Sequence, residues 1–242
     1  MPPAKEIPAR QRLIFALDVP DHAQARQWVE RLGDAVGFYK LGFELFLAPG
    51  GYVDLVAWLV GRGKRVMADL KLFDIERTVA AAVRALRGHG VSFLTVHGND
   101  AVLRAAAAEK GDGLQVLAVT VLTSLDRGDL DDLGFAVDVE RLVLSRARRA
   151  LALGCDGVVS SGLEAAALRA ELGPRFLVVV PGVRPVDNRE IAGDDQKRVV
   201  DVAQAFRNGA DYVVVGRPIR NAPDPRAAAE RLQEQIAAVV ES

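Results

Sequence analysis

Asp69 and Lys71 stand two residues apart, and Asp74 follows three positions later. If the segment is extended, positions two apart face the same side, so Asp69 and Lys71 point together and Leu70 points away. Charged residues are seldom buried unless paired. Further upstream, Asp18 ends one apolar run and Lys40 stands inside another. Together Asp18, Lys40, Asp69, Lys71 and Asp74 can form an alternating array whose negative charges keep the lysines protonated. A cationic lysine held in that way is an acid able to protonate a carbanion. Two structural alternatives stand beside this reading. The charges can be an ion-pair network that only closes one end of a fold, and Asp74 can cap a helix that begins near Ile75.

A second constellation suits an anion. Gly216-Arg217 follows an apolar run, as does Gly182 with Arg184 close behind. Glycine lets backbone N–H groups approach phosphate oxygens, and arginine adds a planar fork for bidentate contact. The connection from Gly182 to Lys197 is long and charged. It reads either as a solvated loop or as a lid over a ligand. The remaining reactive side chains carry less. Cys155 precedes an apolar stretch and reads as a packed thiol. His97 reads as a packing or hydrogen-bonding residue, and His22 and His89 as surface loop residues. No His/Cys/Asp/Glu spacing is typical of a zinc site, and no metal or cofactor is expected.

These residues need elements to hold them. Eight short apolar runs occur at Leu13–Leu17, Phe38–Leu41, Arg65–Leu70, Ser92–Val96, Gln115–Val121, Gly157–Ser160, Phe176–Val180 and Tyr212–Val215. They are nearly unbroken by polar residues, as in parallel strands covered on both faces. Helical patterns lie between and after them at Ala23–Leu32, Tyr52–Val60, Arg77–Leu86, Ala101–Glu109, Val139–Leu153, Leu163–Leu172, Val199–Phe206 and Pro225–Val240. Glycines 33, 61, 88, 154, 173 and 209 stand where those helices would stop. Eight strand–helix pairs without a linker predict a single-domain (β/α)8 TIM barrel over residues 13–242, with residues 1–12 as an N-terminal tail. A doubly wound open sheet is the structural alternative. In the barrel, active sites gather at the carboxyl ends of the strands, where Asp18, Lys40, Asp69, Lys71, Thr123, Ser124, Gly216 and Arg217 all fall.

The composition sets limits. The chain has 242 residues, half of them hydrophobic, and a formal net charge of −1. That suits one large domain and gives no basic excess to recommend a nucleic-acid partner. The first twelve residues lack the apolar core of a signal peptide, no run reaches the roughly 20 residues of a membrane span, and the single cysteine fits a reducing compartment. A soluble cytoplasmic protein is expected.

The stretch Asp69-Leu70-Lys71-Leu72-Phe73-Asp74-Ile75-Glu76-Arg77-Thr78 resembles the Asp-x-Lys-x-x-Asp signature of the orotidine 5'-monophosphate decarboxylases. Ala16-Leu17-Asp18, Lys40-Leu41-Gly42, Val119 through Ser124, Pro181 through Pro185 and Val215 through Ile219 match other blocks of that family in order. The resemblance runs from about Leu13 to Ala237. Many bacterial members read Phe-His-Asp-Ile-Pro-Asn-Thr where this chain has Leu72 through Thr78. It implies a metal- and cofactor-free barrel enzyme that converts orotidine 5'-monophosphate to UMP. Lys71 would then donate a proton to C6, Asp69 would lie near the departing carboxylate, and Asp74, Ile75 and Thr78 would reach the site of a neighbouring subunit in a homodimer. Asp18 and Lys40 would hold the ribose, Thr123 and Ser124 would lie along the pyrimidine, and Gln196, Gly216, Arg217 and Arg184 would hold the phosphate. Two other readings are open. The magnesium-dependent 3-keto-L-gulonate 6-phosphate decarboxylases and hexulose-phosphate synthases share the signature but place an acid where this chain has Lys40, and a lysine repels a metal. A phosphosugar-binding protein without catalysis is the other.

Overall fold

The computed structural model describes residues 5–125, 127–134, 136, 138–183 and 200–241. Eight parallel strands close into a barrel in sequence order. They are β1 (Leu13–Ala16), β2 (Phe38–Leu41), β3 (Arg65–Leu72), β4 (Phe93–Val96), β5 (Gln115–Val119), β6 (Gly157–Val159), β7 (Leu177–Pro181) and β8 (Tyr212–Val215). Closure is made by β1 on β8, with Leu13 beside Val213 and Phe15 beside Val215. The open-sheet alternative is thereby removed.

The helices are α1 (His22–Leu32), α2 (Phe43–Leu47), α3 (Tyr52–Val60), α4 (Glu76–Arg87), α5 (Asp100–Glu109), α6 (Arg127–Asp132), α7 (Val139–Ala152), α8 (Ala165–Leu172), α9 (Val202–Arg207), α10 (Arg217–Arg220) and α11 (Pro225–Val240). Short polar side chains start several of them. Asp21, Asn99, Asp138, Asp201 and Asp224 each accept a backbone N–H in the first turn of α1, α5, α7, α9 and α11. Asp74 does not act in this way. Its carboxylate accepts only the N–H of Ile75, and Ile75 itself is the residue that precedes α4, without a side-chain cap.

Two apolar shells explain the unbroken strands. Outward residues such as Phe15, Tyr39, Leu41 and Val66 pack against the helices. Inward residues such as Ile14, Phe38, Met67, Phe93 and Tyr212 fill the barrel. At the amino-terminal end the rings of Phe38, Phe93 and Tyr212 meet with centroids 5.1–5.9 Å apart. The Arg65 guanidinium lies 4.3 Å from the Phe38 ring centre. That end is therefore plugged, and room for a ligand is left at the carboxyl end.

Two expectations change. Residues 5–12 are held to the barrel, so this part of the expected tail is docked. Lys5 Nζ donates to the Phe176 carbonyl at 2.7 Å and pairs with the buried Asp211 at 2.5 Å, and Ala9–Gln11 forms a 3-10 turn. His22 is buried at 8% exposure, with Nε2 3.0 Å from the Leu45 carbonyl. It joins α1 to α2, a helix too short for periodicity to reveal, and is not a surface loop residue. His89 is exposed as expected.

Candidate active site

Side-chain alternation carries the inward rows of the barrel upward into polar groups. On β3 the row runs Met67, Asp69, Lys71, and Leu70 turns outward into the helix-facing core. On β2 it runs Phe38, Lys40, and after β1 it reaches Asp18. These charges meet. Lys40 Nζ lies 3.0 Å from Asp18 Oδ1 and 3.5 Å from Asp69 Oδ2, and Lys71 Nζ lies 2.9 Å from Asp69 Oδ2. The order is therefore Asp18, Lys40, Asp69, Lys71, with signs alternating along a continuous chain of contacts.

Burial works against such charges, and the pairing offsets it. Burial alone would lower the Lys40 ammonium, but the Asp69 and Asp18 carboxylates hold it above its ordinary value. Burial alone would raise Asp69. The Lys40 and Lys71 ammonium groups, with hydrogen bonds from Lys71 and Thr95, hold it below the ordinary carboxylate value. At neutral pH both Lys40 and Asp69 are thus ionised.

The cluster forms one wall of a cavity of about 590 Å³ at the carboxyl ends of the strands. Thr123 and Ser124 line it beyond β5, and Gly182, Gly216 and Arg217 line it at the exits of β7 and β8. Gly216 leaves little room for a side chain. A methyl group there would come within 3.2 Å of the Ala16 Cβ, with the Asp18 carboxylate 3.8 Å away. Arg220 Nη1 donates to the Asp18 backbone carbonyl and so ties the exit of β8 to that of β1.

Asp74 does not join the cluster within its own chain. Asp74, Ile75 and Thr78 are exposed, Ile75 at 69%, and none lines this cavity. The residue spacing suggested a five-membered array, and one chain supplies four of its members. Arg184 and Gln196, with most of the long loop after β7, lie outside the described residues.

Three groups were not singled out from the sequence. Thr95 is fully buried and contacts Asp69, and its position as an inward residue of β4 was the available signal. Arg220 and Ser160 line the cavity, which Thr95 does not, and nothing in residue type or spacing set them apart. Thr120 turns from the cavity toward β6, with Oγ1 3.2 Å from the Val159 carbonyl. His97 lies against Phe73 with ring centres 5.9 Å apart and planes tilted by 54°, and it lines a neighbouring cavity. Burial, then the charges of Arg146 and Lys71, hold its imidazole below the ordinary value. Burial pushes the Cys155 thiol up to about 12, which leaves it a packing group. Among the described residues no three His, Cys, Asp or Glu side chains are grouped to hold a metal ion. The two carboxylates in the cavity each already face an ammonium group.

Comparison with known proteins gives a consistent match. The model of the orotidine 5'-phosphate decarboxylase / HUMPS family matches residues 11–232. An orotidine 5'-phosphate decarboxylase of Methylococcus capsulatus is 64% identical over 232 residues, covering 96% of this chain and 94% of its own. One from Stenotrophomonas maltophilia is 52% identical, covering 95% and 94%. The crystal structure of the Lactobacillus acidophilus orotidine 5'-phosphate decarboxylase superposes with a TM-score of 0.81 at 33% identity, over 93% of this chain and 99% of that one. The barrel, its charged cavity and these matches agree, and the chain belongs to the orotidine 5'-phosphate decarboxylase / HUMPS family.

Proposed function

We propose that the protein decarboxylates orotidine 5'-phosphate to UMP, the closing step of pyrimidine nucleotide synthesis, and that Lys71 supplies the proton that replaces CO2. One observation carries the residue assignment. Asp18, Lys40, Asp69 and Lys71 are linked at 2.9–3.5 Å on one wall of a cavity whose lining also includes Gly216 and Arg217. Such a cavity offers a charged centre and an anion-binding edge to the same small molecule.

The chemistry asks for that arrangement. When the bond from C6 to the carboxylate breaks, its electron pair stays on C6 in the plane of the ring, where the π system cannot spread it. Fixed charge has to stabilise it. The Lys71 ammonium offsets the developing anion and then transfers its proton to C6 as CO2 leaves. Asp69 anchors Lys71 and lies beside the departing carboxylate, and Asp18 and Lys40 hold the ribose hydroxyls. Thr123 and Ser124 border the pyrimidine. Gly216 and Arg217 hold the phosphate, joined by Arg184 and Gln196 from the loop after β7. Phosphate contacts remote from C6 contribute binding energy that organises the charged centre.

The exposed Asp74, Ile75 and Thr78 enter the site of a second copy, so the working unit is a homodimer with shared sites. The single, buried Cys155 fits a reducing cytoplasm. The test is spectroscopic. Purified protein with orotidine 5'-phosphate in excess EDTA should lose the substrate's ultraviolet absorbance as UMP forms. Absence of conversion by folded protein, with turnover of 3-keto-L-gulonate 6-phosphate restored by magnesium, would move the assignment to the sister enzymes.

A further inference from the structure

The third strand carries its two functional side chains across an irregularity. Met67 and Ala68 pair in register with Phe93 and Leu94 of β4, and pairing resumes only at Leu72 with Val96. Four steps along β3 are thus matched by two along β4. Within this bulge Lys71 has φ +41, and among the described residues it is the only non-glycine with positive φ. Side chains rarely adopt that conformation, and it persists only where the surroundings hold it. The ladder is interrupted here, so the Lys71 N–H needs another acceptor.

The hydroxyl of Thr95 answers that need and does a second task. Its Oγ1 accepts the Lys71 N–H at 2.9 Å and donates its own proton to Asp69 Oδ1 at 2.9 Å. Thr95 is fully buried on β4, so water does not compete for either bond. One hydroxyl therefore clamps the backbone of the lysine and the carboxylate that pairs with it. The other carboxylate oxygen, Oδ2, remains turned to Lys71 and Lys40 at 2.9 and 3.5 Å.

We propose that Thr95 is a positioning residue for the decarboxylation. It holds the bulged backbone that aims Lys71, and it fixes the rotation of the Asp69 carboxylate so that Oδ2 faces both lysines. This rests on the reading of Lys71 and Asp69 as the charged centre. Thr95 does not line the cavity, so it acts through Lys71 and Asp69. Its removal acts on the chemical step more than on binding, because Gly216 and Arg217 are reached from other strands. Its hydroxyl is also one of the groups that stabilise the ionised form of Asp69.

The experiment compares wild type, Thr95→Ser and Thr95→Val on orotidine 5'-phosphate, with kcat and KM taken separately across pH. Thr95→Val keeps the shape and removes both hydrogen bonds. A displacement of catalytic groups by about 1 Å costs on the order of 100-fold in rate. The expected result is a kcat lower by about that factor, a KM changed by less than about 3-fold, and an acid limb of kcat moved to higher pH. Thr95→Ser should restore kcat to within a few-fold and return the limb. Should the valine variant fail to fold, Thr95→Ala takes its place in the same comparison. Equal loss in the serine and hydroxyl-free variants would overturn the proposal, since packing would then be the cause. So would an unchanged kcat in the hydroxyl-free variant, or a lowered kcat with an unmoved acid limb. Lys71→Ala measured alongside separates these results from failure of the underlying reading, in which that folded variant would turn over substrate about as fast as wild type.

Discussion

At the scale of residues the protein gathers opposite charges where burial disfavours either sign alone. Asp69 is held below its ordinary value of 3.8. Its contribution to stability is therefore fully present above that value and lost as pH falls through the depressed one. Lys40 is held above its ordinary 10.5. Its contribution is fully present below 10.5 and lost as pH rises through the raised value. Between about pH 5 and 9 the pair should stay ionised. The difference in unfolding free energy between wild type and Asp69→Asn, from urea titrations, should be flat over that window and shrink toward lower pH. A marked slope near neutrality would show that the pair titrates there. The charged residues were legible because Asp69, Lys71, Asp18 and Lys40 stand within or at the ends of apolar runs, where a charge needs a reason. Thr95 was not, because a threonine inside a strand is ordinary strand composition. Its two contacts depend on a bulge that side-chain type does not announce. Asp74 was placed in the array by its spacing, which alone could not separate a place in the cluster from a place on the surface.

Among elements, strands were easier to read than short helices. Each of the eight apolar runs became a strand, with ends shifted by a residue or two, because burial on both faces leaves a continuous apolar signal. The helices Phe43–Leu47, Arg127–Asp132 and Arg217–Arg220 went unread, since four to six residues span too few turns to show a period. The segment before β1 was read as a tail because its prolines and charges carry no periodic pattern. Its described part, residues 5–12, is held by long-range contacts that converge on Asp211. The Asp211 carboxylate accepts from Lys5, from Arg169 at 2.8 Å and from the Val178 N–H at 2.8 Å. It thereby ties the N-terminal segment, α8, β7 and β8 together. Removing it leaves two cations without their counter-charge and the Val178 N–H without its side-chain acceptor in a largely buried place. Asp211→Ala should lower the unfolding free energy by about 3 kcal/mol. A loss under about 1 kcal/mol in urea titration would mean that water replaces the carboxylate there.

On the scale of the whole molecule, the plugged amino-terminal end and the open carboxyl end assign all the chemistry to one face of the barrel. The (β/α)8 architecture was legible from eight repeats of one strand–helix pattern. Composition carries no sign of the proposed subunit association, because the exposed apolar side chains Phe73 and Ile75 alternate with charged residues and form no apolar run of their own. The proposed sharing of sites between two copies makes a specific prediction. Lys71→Ala and Asp74→Ala should each be nearly inactive alone. Mixing them with subunit exchange should restore activity, since each mixed dimer has one site with both residues intact. Random pairing gives about a quarter of wild-type sites, and no recovery after verified exchange would place Asp74 outside the partner's site. The most direct test of the central claim concerns Lys71. Conversion of orotidine 5'-phosphate to UMP is followed for wild type and Lys71→Ala side by side, with folding checked by circular dichroism. The account predicts rapid conversion by wild type and a loss of about 10³-fold or more in the folded variant. Conversion by Lys71→Ala within about 10-fold of wild type would contradict the assignment of Lys71 as the proton donor.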